Sequence, residues 1–303
     1  MIEARDLEKR YGDFKALDGV SFDCMTAECF GVIGHNGAGK TTLLKCLAGL
    51  VQPTSGSLVV DGIDVLSDPV TLKERLGYLS EESRLYETMT VPDYLGFFGE
   101  LYGLSKETVL ERQERLLGAL GLDHGDKRCA ELSKGMKRKV AIARSLIHDP
   151  SLLVYDEPTS GLDPMTSRYI ADYLAELRSR GKTIVLSAHN LYQVEALCDH
   201  VLILSKGRCA AFGSMDELRS LFGPTTYRVN FSLPAGRTPD PALSAVVDGA
   251  GYRAEAASIE EMNAITVAVA MEGGRVERVE SHSPSLEEML VALGNREEIR
   301  AGP

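Results

Sequence analysis

Phe30-Gly-Val-Ile33 is a short apolar run. It ends in Gly34-His-Asn-Gly-Ala-Gly-Lys-Thr-Thr42, and from Lys40 to Leu50 apolar side chains recur at helical spacing. A buried strand that turns through glycines straight into a helix belongs to a layered α/β fold. The pattern Gly34-x-x-x-x-Gly39-Lys40-Thr41 is that of a phosphate-binding loop, whose glycines let successive main-chain N–H groups turn inward. Asn36, Gly37 and Ala38 complete that cradle. Lys40 is placed to reach the terminal phosphates of a nucleotide, and the Thr41 hydroxyl to hold Mg²⁺. Thr42 faces the α-phosphate side, and the positive end of the helix adds to the attraction.

A second strand, Leu152–Tyr155, is closed by Asp156-Glu157-Pro158. By itself this is a strand-ending turn. Behind a phosphate loop, Asp156 is a carboxylate in need of a partner, and Mg²⁺ is that partner. Side chains alternate along a strand, so Glu157 is expected to point elsewhere, which suits a base acting on the attacking water.

The rest of the chain alternates strand and helix patterns, which predicts an α/β core with a largely parallel sheet. The first thirty or so residues read as strands, with Leu7, Tyr11, Phe14, Val20 and Phe22 as apolar positions, and Gly56–Asp61 as another. Residues 90–148 read as helical: Thr90 caps, Pro92 sits in the first turn, and Tyr94, Phe98, Leu101 and Tyr102 share a face. Ser105 and Gly121 bound a second helix. Further on come a helix at 164–179, a strand at Thr183–Ser187, a helix near 190–197 and a strand at Val201–Leu204. Gly223-Pro224 punctuates the end of this region. Tyr227–Leu233 and Ile265–Ala270 alternate like strands. Ser283-Pro284 opens a short helix carrying Leu286, Met289, Leu290 and Leu293. The expected organisation is a large domain over 1–222, with a helical part at about 90–148, and a small α+β appendage over 225–303.

The net charge of -11 argues against a general nucleic-acid surface. None of the six cysteines forms a CxxC pair, so they read as reduced, mostly buried thiols. The charged start, Met1-Ile-Glu-Ala-Arg-Asp, is unlike a signal peptide, and no apolar run approaches the ~18 residues of a membrane helix. Work at a membrane would therefore mean docking onto a separate membrane subunit.

Leu132-Ser-Lys-Gly-Met136 and Ser187-Ala-His189 complete a set of four motifs in one order. With them, residues 1–222 resemble the nucleotide-binding subunit of ATP-binding cassette (ABC) transporters. The resemblance implies a P-loop NTPase core with an antiparallel β subdomain and a helical subdomain, binding ATP and Mg²⁺. It implies that Ser133 and the Gly135 amide bind the γ-phosphate of ATP held by an opposite subunit, in keeping with the anion affinity of a helix N-terminus. It makes Tyr11 the aromatic that stacks on adenine, Asp163 of Ser160-Gly-Leu-Asp163 part of a loop crossing the dimer interface, and His189 a switch near the γ-phosphate and Glu157. The family commonly has Gln where this chain has Glu81; a carboxylate there still binds Mg²⁺ but donates no amide hydrogen bond. The tail, through Pro284-Ser-Leu-Glu-Glu-Met-Leu290, looks like the extension of ATPases serving one group of exporters.

The expectation is an ATPase that dimerises head to tail around ATP, on the cytoplasmic face of the membrane, to drive a separate integral membrane permease, in export. The alternative is a soluble ATPase of this type acting on ribosomes or DNA. One phosphate loop rather than two, and no room for a long coiled coil before Leu132, weigh against it. A non-catalytic module is the third reading, and Lys40, Asp156, Glu157 and His189 together weigh against that.

Overall fold

The computed structural model describes residues 1–82, 84–122 and 127–300, with side chains to 294. It divides into two compact units, Met1–Met215 and Asp216–Pro303.

In the first unit, β1 (Ile2–Tyr11) and β2 (Phe14–Cys24) form an antiparallel hairpin with Tyr11 opposite Phe14. Strand β3 (Cys29–Ile33), buried throughout, feeds the phosphate loop and α1 (Lys40–Leu47). Strands β4 (Ser55–Val60) and β5 (Ile63–Asp64) complete a four-stranded antiparallel sheet of order β2-β1-β4-β5. Helix α2 (Pro69–Arg75), capped by the Asp68 carboxylate, leads to β6 (Leu76–Leu79). The chain then leaves the sheets for α3 (Val91–Leu101), α4 (Lys106–Ala119) and α5 (Lys134–Leu146). Each opens on a hydroxyl that accepts a main-chain N–H: Thr90 from Asp93, Ser105 from Thr108 and Ser133 from Met136. Such caps satisfy amides that a helix start otherwise leaves unpaired.

The chain returns through β7 (Leu152–Tyr155), α6 (Pro164–Ser179), β8 (Thr183–Ser187), α7 (Leu191–Leu197), β9 (His200–Ser205) and β10 (Arg208–Ser214). With β3 and β6 these strands build a six-stranded sheet, β10-β9-β3-β8-β7-β6. All neighbours are parallel except β10, which runs antiparallel to β9 at one edge. Strands β7 and β8 are buried at every position, as suits the apolar Leu152–Tyr155 and the Ile-Val-Leu centre of β8 in strands covered on both faces.

Helix α1 contacts β2 as well as β7 and β8, so it lies between the two sheets. Leu43, Leu44 and Leu47 on α1 join Phe22, Phe30, Leu58, Val154 and Val185 in one core. The Phe22 and Phe30 rings stack with centroids 5.0 Å apart. Each such side chain contributes on the order of 1.5–3 kcal/mol by leaving water. The helix carrying the phosphate loop is therefore anchored by its whole apolar face. Cys24, Cys29, Cys46, Cys129 and Cys198 are buried, and Cys209 on β10 is exposed.

Helix α8 (Met215–Phe222) begins at the last residue of the first unit, and the second unit continues with β11 (Thr226–Ser232), β12 (Val246–Asp248), β13 (Gly251–Ala256), α9 (Ile259–Met271), β14 (Arg275–His282) and α10 (Leu286–Arg300). The strands form an antiparallel sheet of order β12-β13-β11-β14. Val229, Phe231, Ala254 and Ala256 pack with Ile265 and Val269 of α9. Residues Ile265–Ala270, expected as a strand, are thus helical. The Ser258 hydroxyl accepts from the Glu261 N–H, and the Glu261 carboxylate accepts from the Ala257 N–H, so the segment is capped as a helix upstream of the alternation. Ile265 and Val269, four residues apart, then share the buried face. The final helix begins at Leu286, where Ser285 and Glu288 form a reciprocal cap, and it is longer than the expected short helix. Among the described residues, no helix is long and apolar enough to cross a membrane.

Candidate functional site

Two glycines of the phosphate loop are fixed by what surrounds them. A β-carbon on Gly34 would lie 2.2 Å from the Leu204 carbonyl oxygen of β9, and one on Gly39 would lie 2.5 Å from the Ala16 carbonyl oxygen of β2. The loop is thus wedged between the ends of two strands from different sheets. The Gly207 N–H also donates to the Ala38 carbonyl at 3.0 Å. Lys40 is buried, with its Nζ donating to the carbonyls of Gly34 at 2.7 Å and His35 at 3.3 Å. Burial lowers its pKa, opposed by the charges of Glu157, Asp156 and Glu81.

The two acids sit beyond the end of β7. Asp156 is 2 % exposed, and its Oδ1 accepts a hydrogen bond from the Ser187 hydroxyl at 2.6 Å. The same hydroxyl accepts from the Glu157 N–H at 3.0 Å. Ser187, wholly buried at the end of β8, therefore ties both acidic positions to the neighbouring strand. Strand alternation is not what separates the acids: β7 ends at Tyr155, and Glu157 adopts a left-handed φ of 51°. A non-glycine residue there costs roughly 1 kcal/mol or more, so the surroundings hold it in place. The Glu157 Oε2 accepts from the His189 N–H at 3.1 Å. Its Oε1 is 3.2 Å from His189 Nε2 but is buried without an aligned hydrogen bond. Burial raises the Glu157 pKa, opposed by His189 and Lys40.

Lys40, Thr41, Glu81, Glu157 and His189 line one cavity of about 470 Å³ with Asn36–Thr42 as its floor. Asp156, buried and next in the chain to Glu157, is not itself part of this lining. Phe14, 63 % exposed, lines it as well, whereas Tyr11, its partner across the hairpin, does not. The sequence offered no sign of this, because both aromatics flank one tight turn. Ser133 and Gly135, at the start of α5, stand outside this lining, as does Asp163, whose carboxylate caps α6 by accepting from the Thr166 N–H at 2.9 Å.

Sequence reasoning passed over Ser187 and Arg138. Ser187 was visible only as the first residue of the Ser-Ala-His motif. Arg138, on the second turn of α5, is 3 % exposed and donates to main-chain carbonyls on both sides of the site. Nε reaches Pro158 at 2.8 Å, Nη1 reaches Ser80 at 2.7 Å and Glu81 at 2.9 Å, and Nη2 reaches Asp156 at 3.2 Å and also Glu157. Burial pushes its pKa down to about 10, so it remains a cation at neutral pH. Nothing in the local sequence distinguishes it from the basic residues beside it.

The donor set fits a nucleotide with Mg²⁺. A phosphate loop with no room for a β-carbon at Gly34 or Gly39, a buried ammonium group and an orphaned buried carboxylate oxygen converge on one open cavity. Hydroxyl and carboxylate oxygens on Thr41, Glu81 and Asp156 are the hard ligands Mg²⁺ prefers.

Residues 17–160 match the ABC transporter family profile. The chain is 40% identical over 224 residues to the ABC transporter ATP-binding protein NatA of Bacillus subtilis, covering 72% of this chain and 91% of that one. It is 38% identical over 219 residues to the Nod factor export ATP-binding protein I of Cupriavidus metallidurans, covering 72% of each. A solved structure described as the ATP-binding subunit of an ABC transporter superposes with a TM-score of 0.68 at 34% identity, over 73% of this chain and 93% of that one. The chain belongs to the ABC transporter family and is an ATP-binding, ATP-hydrolysing subunit of that family.

Proposed function

We propose that this family member works as a head-to-tail homodimer on the cytoplasmic face of the membrane, where ATP binding and hydrolysis drive a separate integral membrane permease in export. One observation carries the dimer. The cavity of a single chain gathers Lys40, Glu81, Glu157 and His189 but not Ser133 or Gly135. The anion-binding start of α5 is then available to a nucleotide held by a second copy. Export is supported by the likeness to the Nod factor export protein. The net charge of -11 disfavours a nucleic-acid partner.

In this reading the amides of Gly34–Thr42 cradle the phosphates and Lys40 exchanges its carbonyl contacts for β- and γ-phosphate oxygens. Tyr11, half exposed at the hairpin tip, stacks on adenine, with Phe14 beside it. Thr41, Glu81 and Asp156 would hold Mg²⁺, which when bound neutralises charge on the phosphates. Glu157 accepts the proton of the attacking water. Its raised pKa and unfilled Oε1 suit a base whose burial strengthens proton uptake. His189 orients Glu157 through its main-chain N–H and stands with its ring toward the γ-phosphate. Asp163 and its loop cross to the second copy. The domain of 1–222 carries this chemistry, and 225–303 is an extension of the kind that accompanies exporter ATPases.

The permease docks beside the aromatic cluster of α3 and the segment before it. Tyr86, Phe97 and Leu101 are each more than 40 % exposed, and Tyr86 meets the rings of Tyr94, Phe97 and Phe98 within 6.1 Å. An exposed aromatic patch of this kind marks a partner surface. The test is purification of tagged Glu157→Gln protein from native membranes with ATP. A dimer accompanied by an integral membrane protein is expected. A monomer, or co-purification with ribosomes or DNA-processing proteins instead, would overturn the proposal.

A further inference from the structure

We infer that Arg138 is a positioning residue for hydrolysis: it fixes the Glu81 loop and the Glu157 loop to helix α5, so that the two carboxylates take their places as one unit with the start of that helix. The inference rests on the roles proposed above for Glu157 and the Ser133–Gly135 start of α5.

The guanidinium touches carbonyls from two separate stretches of chain, residues 80–81 after β6 and 156–158 after β7. These are the stretches that carry Glu81, Asp156 and Glu157. Carbonyl oxygens gain more from a planar, always-charged fork than from any neutral donor. A buried cation held by main-chain carbonyls has little purpose as packing, because burial opposes its charge. The nearby charges of Asp156, Glu81 and Glu157 stabilise it in return. A second arginine on α5, Arg144, donates from Nη2 to the Tyr78 carbonyl at 3.0 Å. Helix α5 is thus pinned along β6 and past its end.

The mechanical result follows from where Arg138 sits. It lies little more than one turn from Ser133, the cap of α5. A displacement of the helix start is carried through one side chain to the carbonyl of Glu157, whose left-handed backbone leaves it little freedom of its own. The Arg138 contacts described above end on the stretches that carry Glu81 and Glu157, not on Gly34–Thr42. Binding and chemistry should therefore respond differently to its loss.

The test compares wild type, Glu157→Gln, Arg138→Met and Arg138→Lys as full-length chains, with kcat for MgATP and the Kd for ATP measured separately. Arg138→Met is expected to keep its ATP Kd within about twofold while kcat falls about 10- to 100-fold, the scale of a misplaced reacting group. Arg138→Lys, which keeps the charge without the fork, should fall between Met and wild type. A kcat within threefold of wild type in folded Arg138→Met, or a Kd that rises in step with the fall in kcat, overturns the inference. If Arg138→Met does not fold, Arg138→Lys decides by the same split: lower kcat at unchanged Kd supports it, and unchanged kcat overturns it. Failure of the underlying reading looks different, because wild type would then hydrolyse no ATP or Glu157→Gln would hydrolyse it normally.

Discussion

Replacing Ser187 with Ala removes one oxygen that serves two neighbours. Its hydroxyl donates to the Asp156 carboxylate at 2.6 Å and accepts from the Glu157 N–H at 3.0 Å, at a position fully shielded from water. A hydrogen bond to a charged group contributes about 1.5–3 kcal/mol, and a buried N–H left unpaired costs about 1–3 kcal/mol. Allowing for partial relaxation, the substitution should destabilise the first unit by about 3 kcal/mol. In a unit of this size that lowers Tm by about 6–12 °C. Calorimetry and urea unfolding of the full chain measure it, and the ATPase rate should fall in parallel because both acids lose their tether. A double-mutant cycle with Asp156→Asn isolates the pair and should give a coupling of about 1–2 kcal/mol. A loss under 0.5 kcal/mol, or strict additivity in the cycle, would refute the argument that Ser187 holds the acids.

Lys40→Ala should raise the ATP Kd by roughly 100-fold, since it deletes a charged donor to phosphate; titration with a fluorescent ATP analogue measures it, and an unchanged Kd would remove Lys40 from the cradle. Glu157→Gln should abolish turnover and also stabilise the protein at neutral pH. Burial raises the native pKa of Glu157 above 4.5, so below pH 4.5 both folded and unfolded chains carry its proton and the two proteins should match. Above the native pKa, wild type alone holds a buried charge, and its Tm should lie below that of the variant. By the same shift, the acid limb of the wild-type kcat profile should fall above pH 4.5; a limb at or below that value would argue against Glu157 as the base. Gly34→Ala should cost several kcal/mol or abolish folding, because its β-carbon would lie 2.2 Å from a main-chain oxygen that cannot swing aside. A melting curve like that of wild type would contradict the wedge.

The phosphate loop was legible because its chemistry is contiguous: strand, glycines, Lys40 and helix follow one another in the chain. The same holds for the helix starts at Thr90 and Ser105, whose caps act within a single turn, whereas the cap at Ser133 emerged only with the structure. Ser187 and Arg138 were illegible because their partners lie in other segments: 31 residues separate Ser187 from Asp156, and 58 separate Arg138 from Ser80. Serine and arginine look ordinary until folding brings those carbonyls and carboxylates to them. The tail failed in another way. Ile265 to Ala270 alternates in polarity, yet the cap at Ser258 and Glu261 decides the backbone before the alternation begins. Glu157 teaches the same caution, since period-2 reasoning stops where the strand stops, at Tyr155.

The cysteine distribution gives the unaltered chain its own single-site label. Five thiols are buried, and Cys209 alone is exposed. Although the residue is exposed, its neighbours partly shield the thiol and raise its pKa, so a maleimide dye should attach faster as the buffer is made mildly alkaline. Cys209 lies two residues beyond Gly207, whose N–H holds the Ala38 carbonyl of the phosphate loop. A fluorophore there would sit at the end of a short lever whose other end rests on the nucleotide cradle, and its emission would report occupancy in real time without engineering a cysteine.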